Sequence, residues 1–106
     1  MIADTPTTPY YAVIFTSIRS DIDDGYSETS DRMIELANQH EGFLGVESVR
    51  EDFGITVSYW KDLESISRWK NNLEHTAARE RGRKEWYLQF KVRVAKIERD
   101  YQVNKS

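Results

Sequence analysis

The chain has 106 residues, 39% of them hydrophobic and 31% charged, with a formal net charge of −3 and no cysteine. That length bounds it to one compact domain with a single core, and the missing thiols exclude disulfides, thiolate zinc sites and cysteine nucleophiles together. A slightly acidic chain has no long-range pull toward nucleic acid, and no run approaches the roughly 20 apolar residues that span a bilayer, so neither partner is expected and the expected location is the cytoplasm.

Residues 1–9 (Met1-Ile-Ala-Asp-Thr-Pro-Thr-Thr-Pro9) lack the basic start and apolar centre of a signal peptide and are expected to form a disordered arm. A single domain is expected over residues 10–101. Its first strand runs from Tyr10 to Arg19, with Tyr11, Val13, Phe15 and Ser17 on one face and Tyr10, Ala12, Ile14, Thr16 and Ile18 on the other. Both faces are largely apolar, so both need cover. Asp21 to Gly25 reads as a turn and cap, after which Tyr26, Thr29, Ser30, Met33, Leu36, Ala37 and His40 recur at helical spacing; Gly42 is expected to close that helix as its C-terminal glycine.

Phe43 to Arg50 and Gly54 to Trp60 read as a hairpin about Asp52-Phe-Gly54. Asp62 can cap a second helix whose stripe is Leu63, Ile66, Trp69 and Leu73, with a break or bend around Asn71-Asn72 and a short continuation to Gly82. The last strand is expected to begin at Trp86, with Trp86, Leu88, Phe90, Val92 and Val94 alternating against Tyr87, Gln89, Lys91 and Arg93, and residues 102–106 form a polar tail. The order β-α-β-β-α-β predicts an α+β fold of the ferredoxin-like split βαβ type: an antiparallel sheet with both helices on one face. The other face is left bare, and its apolar patch calls for a partner sheet. A homodimer is expected.

Two residues stand out as candidates for chemistry. Trp69 lies on the helix stripe, where its ring either packs the core or walls a pocket. Six residues later His75 falls about 600° round an ideal helix, off the stripe unless the chain bends at Asn71-Asn72. Brought inward, it can orient or deprotonate a phenol near neutral pH; left outward, it is a surface or capping imidazole. His40, in the last turn of the first helix, is explained by the helix dipole and receives no role. The basic patch Arg79, Arg81, Arg83 and Lys84 reads as a solvated helix end without the interleaved aromatics of single-strand binders. Two distant histidines without the H-E-x-x-H spacing predict no catalytic metal site, and no serine sits in a G-x-S-x-G elbow.

The segments Gly42-Phe-Leu-Gly-Val-Glu-Ser-Val-Arg50 and Gly54-Ile-Thr-Val-Ser-Tyr-Trp60 through His75 resemble the antibiotic biosynthesis monooxygenase (ABM) family of dimeric α+β barrels, and the likeness runs from about Tyr10 to Tyr101. The resemblance implies two sheets packed face to face in a dimer. It also implies an enzyme of oxygenase type, since such proteins include cofactor-independent oxygenases of polycyclic phenols and haem-degrading oxygenases. In the haem-degrading members a ligating histidine follows the helix tryptophan by ten positions and an asparagine lies in the first strand; here those places hold Arg79 and the pair Thr16-Ser17, so haem is not favoured as a cofactor. In the phenol oxygenases the place six after the tryptophan is commonly aromatic and an asparagine lies four before it; here they hold His75 and Ser65. The expected site therefore has His75 as the catalytic base or orienter and Trp69, Phe15, Ser17, Tyr59, Ser65 and Arg79 as substrate contacts. The expected function is a monooxygenase without a bound cofactor, acting on a small aromatic or polycyclic phenol between sheet and helices. The alternatives are a dimer that binds a small molecule without turnover, a haem-binding or haem-degrading relative, and a dimer whose aromatic residues are only core.

Overall fold

The computed structural model describes residues 2–105; Met1 and Ser106, the outermost residues of the expected arm and tail, lie outside the described residues. In chain order the elements are β1 (Tyr10–Arg19), α1 (Tyr26–Asn38), β2 (Phe43–Arg50), β3 (Gly54–Trp60), α2 (Leu63–Lys70), α3 (Leu73–Arg81), a π-helical turn (Gly82–Trp86) and β4 (Tyr87–Ile97). The strands form one sheet in the order β2-β3-β1-β4, with every pair antiparallel. This is the expected split βαβ sheet of an α+β protein, its second helical segment divided in two.

Register decides which residues see the helices. Tyr11 lies opposite Trp60, and Trp60, fully buried, stacks on Trp69 of α2 at 5.9 Å between ring centroids. Odd-numbered β1 residues therefore face the helices, and even-numbered ones face away with Ile55, Val57 and Tyr59 of β3. Around Trp60 the packing gathers four elements: Phe43 of β2 meets it edge to face at 5.2 Å and His40, just past α1, at 6.4 Å. A second aromatic knot forms at the other end. There Tyr26 packs edge to face on Trp86 and Tyr87, Phe15 packs on Tyr87 and Phe90, and the Arg19 guanidinium lies 3.4 Å over the Tyr26 ring.

The division of the second helix has a local cause. Asp62 caps α2 by accepting from the Ser65 N–H at 2.7 Å. Asn72 then adopts an extended backbone and caps α3 by accepting from the His75 N–H at 3.1 Å. Each cap satisfies donors that a helix start leaves open. Of the break or bend expected around Asn71-Asn72, the structure has the break, a stop and restart. On the surface, Arg32 of α1 makes a two-pronged pair with Glu74 of α3, both contacts at 3.1 Å.

Four sequence expectations are corrected. Leu63 and Leu73 are exposed, Leu73 at 86%; each is the first residue of its helix, directly after the Asp62 and Asn72 caps. Gly42 does not terminate α1; the helix ends at Asn38 with Gln39 as its right-handed cap. The glycine is needed instead because α2 comes so close that a Cβ on Gly42 would sit 1.9 Å from the Ser65 Oγ. Trp86 is not the first residue of β4 but the buried end of the π-helical turn, its Nε1–H donating to the Asp24 carbonyl at 2.9 Å. Finally, the alternation at the start of β4 is broken by a bulge opposite Ile18/Arg19, which swings Tyr87 to the side of Phe15 and Phe90.

The face away from the helices carries no helix. Ile14, Ile55 and Val57 are partly exposed there, and Ile18 and Val49 more so. At one end of this face the segment before β1 lies on the sheet, with the Ala3 N–H donating to Glu47 at 2.9 Å. The Tyr10 hydroxyl donates to Asp100 beyond β4. No helix among the described residues is long and apolar enough to cross a membrane.

Two stability outcomes follow. Trp60→Ala should cost about 3–5 kcal/mol in chemical denaturation, as for a wholly buried indole, and Trp69→Ala clearly less, since Trp69 is only half-buried. Gly42→Ala should cost about 1–3 kcal/mol through overpacking. Adding Ser65→Gly should recover part of that loss, and strict additivity of the two changes would refute the close approach.

Candidate functional site

The restart at Asn72 places His75 in the first turn of α3 and folds it back over the end of α2. Its ring stacks on Trp69 with centroids 4.3 Å apart and planes 18° from parallel. Its Nδ1 lies 2.9 Å from the Trp69 carbonyl oxygen. A carbonyl oxygen can only accept, so Nδ1 carries the hydrogen, and in the neutral ring Nε2 is left as the basic nitrogen. Burial is the largest influence on this group and pushes its pKa below the ordinary histidine value of 6.5; the carbonyl contact opposes that shift, while Arg79 and His40 add to it. The ring is therefore neutral at pH 7 with one nitrogen held and the other free to take a proton.

Trp69 supports this arrangement from beneath. Its ring carries His75 in a close stack, Trp60 in a looser one and His40 edge-on at 5.3 Å. Trp69 is half-buried among these three rings. His40 is the residue that sequence reasoning missed. The helix dipole seemed to account for it, yet it lies against both Trp60 and Trp69. The available signal was its place three residues before Phe43, which itself packs on Trp60.

Arg79 follows His75 by one helical turn and so shares its face of α3. Its Nε is buried without a hydrogen-bond partner. The helix side of the sheet also carries an apolar floor: Phe15 lies opposite Val92, Val13 opposite Val94 and Ser17 opposite Phe90. The helix layer leaves the β4 half of this floor open, with Val92 and Val94 about half exposed at 50% and 52%.

The expected contacts thus separate by place. Trp69, His75 and Arg79 come together on α2 and α3, and Phe15 lies on the sheet face that the helices cover, in the second aromatic knot. Ser17 is on that face too, but it is buried and its hydroxyl accepts from the Arg50 guanidinium. Ser65 is buried at the close approach to Gly42, its Oγ accepting from Arg68 at 3.3 Å. Tyr59 is not brought to the others, because it neighbours Trp60 in β3 and so points to the opposite face. There its hydroxyl donates to Glu47 at 2.5 Å, and burial, then that carboxylate, pushes its pKa up to about 12. A cavity of about 390 Å³ opens on that side, between the segment before β1 and the tail, lined by Tyr10, Glu47, Tyr59 and Asp100 among others. Among the described residues no three histidine or acidic side chains gather as a metal site would require.

Comparison with known proteins agrees with this architecture. The family model described as antibiotic biosynthesis monooxygenase matches residues 9–81. Protein YqjZ of Bacillus subtilis is 54% identical over 100 residues, covering 92% of this chain and 88% of that protein. Among solved structures, SnoaB, a cofactor-independent oxygenase from Streptomyces nogalater, is similar with a TM-score of 0.69 at 9% identity, covering 92% of this chain and 95% of that one. A protein from Shewanella oneidensis reaches a TM-score of 0.74 at 8% identity, covering 86% and 93%. Likenesses at such low identity establish the fold. The family match, reaching from β1 through α3 and so across Trp69, His75 and Arg79, establishes more: the chain belongs to the antibiotic biosynthesis monooxygenase family.

Proposed function

We propose that this protein is a monooxygenase without a bound cofactor, acting on a small aromatic or polycyclic phenol. Family membership supports the broader role, monooxygenase-type or small-molecule-binding. The observation that carries the finer reading is the His75 imidazole, neutral, stacked on Trp69 and tied at Nδ1 to the Trp69 carbonyl. This leaves Nε2 as a base of fixed direction on the helix side of the sheet.

The reaction balances without another redox partner. For an anthrone-like phenol, His75 Nε2 takes a proton from the ring methylene or its enol, leaving an electron-rich anion. That anion supplies electrons to molecular oxygen and forms a carbon–oxygen bond. The oxygen–oxygen bond then breaks, the carbon loses its second hydrogen as a proton, and a ketone forms while the other oxygen leaves as water. His75 returns its proton to that departing oxygen. The substrate is the reductant and oxygen the oxidant, so the protein supplies position and proton transfer.

The same reading includes a homodimer in the cytoplasm. Its support is the helix-free sheet face, where Ile14, Ile18, Val49, Ile55 and Val57 meet water. A standard interface of roughly 800 Å² per subunit would cover such a patch. Light scattering at micromolar concentration should give twice the chain mass, and a monomer mass would refute the dimer.

Oxygen uptake with an anthrone-like phenol tests the chemistry. His75→Ala should abolish turnover with little loss of stability. Because the pKa of His75 is lowered, the base stays neutral down to a more acid pH, so the acid limb of kcat/KM should fall below the ordinary histidine value of 6.5. Trp69→Ala should move that limb upward as the imidazole regains solvent. Normal turnover by His75→Ala would end the oxygenase reading.

A further inference from the structure

The helix-free face of the sheet is not open along its whole length. Tyr10 and Ala12 point away from the helices, yet they are only 4% and 2% exposed, whereas Ile18 and Val49 at the other end of the same face are exposed. The cover over Tyr10 is supplied by the ends of the chain itself. Residues 2–8 pass from the start of β1 across β3 to β2, where the Ala3 N–H donates to Glu47 at 2.9 Å and a Cβ on Gly45 would lie 3.0 Å from the Ala3 Cβ. The Thr5 hydroxyl donates to the Tyr10 hydroxyl at 3.0 Å, and that hydroxyl donates to Asp100 of the tail. This cover is loosely made. None of residues 2–8 is buried, and a cavity of about 390 Å³ remains between them, the tail and the sheet. A segment held by a few hydrogen bonds can open while the sheet stays folded.

We infer that residues 2–8 are a displaceable strap on the surface where a second copy of this chain docks: closed, they cover the Tyr10 end of the helix-free face, and the second copy lifts them to reach it. This rests on the homodimer reading above and adds a control to it. The strapped and open parts of the face are continuous, because register puts Glu47, Val57, Ile14 and Arg93 in one row across all four strands. Lifting the strap joins Tyr10, Ala12 and Tyr59 to the open apolar patch, and a larger apolar area drives association harder. The charges of that row favour a second copy as the occupant. Glu47 stands at the β2 edge and Arg93, which is exposed, at the β4 edge. A second sheet related by a two-fold axis along the strands sets each Arg93 over the other copy's Glu47. The strap sits on this same carboxylate, so docking and closure compete, and the apparent affinity falls with the fraction of open chains.

Sedimentation velocity of the full chain, from nanomolar to high micromolar concentration, reads this competition. Ala3→Pro removes the N–H given to Glu47 and Thr5→Val the hydroxyl given to Tyr10, while the sheet face stays unchanged. Together they should lower the dimer dissociation constant about 10-fold, the scale of one or two hydrogen bonds lost from the closed state. Arg93→Glu should raise it by about 10-fold, because like charges then meet across the interface. Wild-type protein gives a readout without any variant: hydrogen exchange at the Ala3 amide should quicken as concentration rises and the second copy displaces the strap, where a segment simply enclosed in an interface would gain protection. Unchanged or weaker association of the Ala3→Pro, Thr5→Val chain, indifference to Arg93→Glu, monomers throughout, or, in a dimerising wild type, an Ala3 amide that exchanges no faster overturns the inference. A wild type that stays monomeric while the released chain dimerises would defeat only the homodimer reading and retain the strap.

Discussion

The structure depends on the complete burial of Trp60. It ends β3, directly opposite Tyr11 of the central strand β1, and its indole is the largest side chain wholly removed from water. Phe43, His40 and Trp69 pack on it from β2, the end of α1 and α2. Removing an indole from water contributes several kcal/mol. Its one polar atom is satisfied locally, as Nε1–H donates to the Ser58 hydroxyl at 2.9 Å on the same strand face. The ring can therefore be buried without an unpaired donor. α2 is held against the sheet by this contact and by the Gly42–Ser65 approach, and neither tolerates much change in volume.

That anchorage explains the position of the chemistry. Once Trp69 rests on Trp60, the restart at Asn72 folds the first turn of α3 back over the indole. His75 then meets a flat aromatic surface and the Trp69 carbonyl together. That carbonyl, at the end of α2, already accepts from the Asn72 N–H at 3.1 Å, and its second lone pair takes the imidazole N–H. Two short helices with a capped junction thus do what one continuous helix cannot, since six residues of unbroken helix would carry the imidazole well off the tryptophan stripe. Burial in this niche keeps the ring neutral, and the neighbouring positive charge of Arg79 acts in the same direction.

The sheet separates two environments. Its helix side has the imidazole, the orphaned guanidinium donor and an apolar floor left open along β4. Its other side has the apolar rows of β1 and β3 and, at one end, a hydrogen-bonded group of Tyr10, Tyr59, Glu47 and Asp100. The tyrosine hydroxyls there are donors held to carboxylates, and their pKa values are raised. They are suited to tying the chain ends to the sheet. Strand alternation alone produces this division, because Tyr59 and Trp60 are neighbours in sequence and opposites in space.

Element order, the hairpin, the α+β class and the stop at Asn71-Asn72 were legible in the amino-acid sequence, because each rests on local chemistry: period-two and helical spacing, the Asp62 cap, the glycine turn. Trp69 and His75 were singled out by helical spacing and family resemblance, and their stacking required only that the chain break where two asparagines permit it. What the tertiary structure alone decided is which side of each element is used. Leu63 and Leu73 read as core but face water, Gly42 reads as a helix stop but serves a close approach, and the bulge in β4 moves Tyr87 across the sheet. His40, explained in sequence by a dipole, lies against two tryptophans, and Arg79, one of four cations in a basic run, is the one whose Nε is buried without a partner. Periodicity reports how often a side chain returns to a face, and local motifs report where a helix begins. Neither reports what stands opposite, and the neutrality of an imidazole or the isolation of a guanidinium depends on groups that only folding brings together.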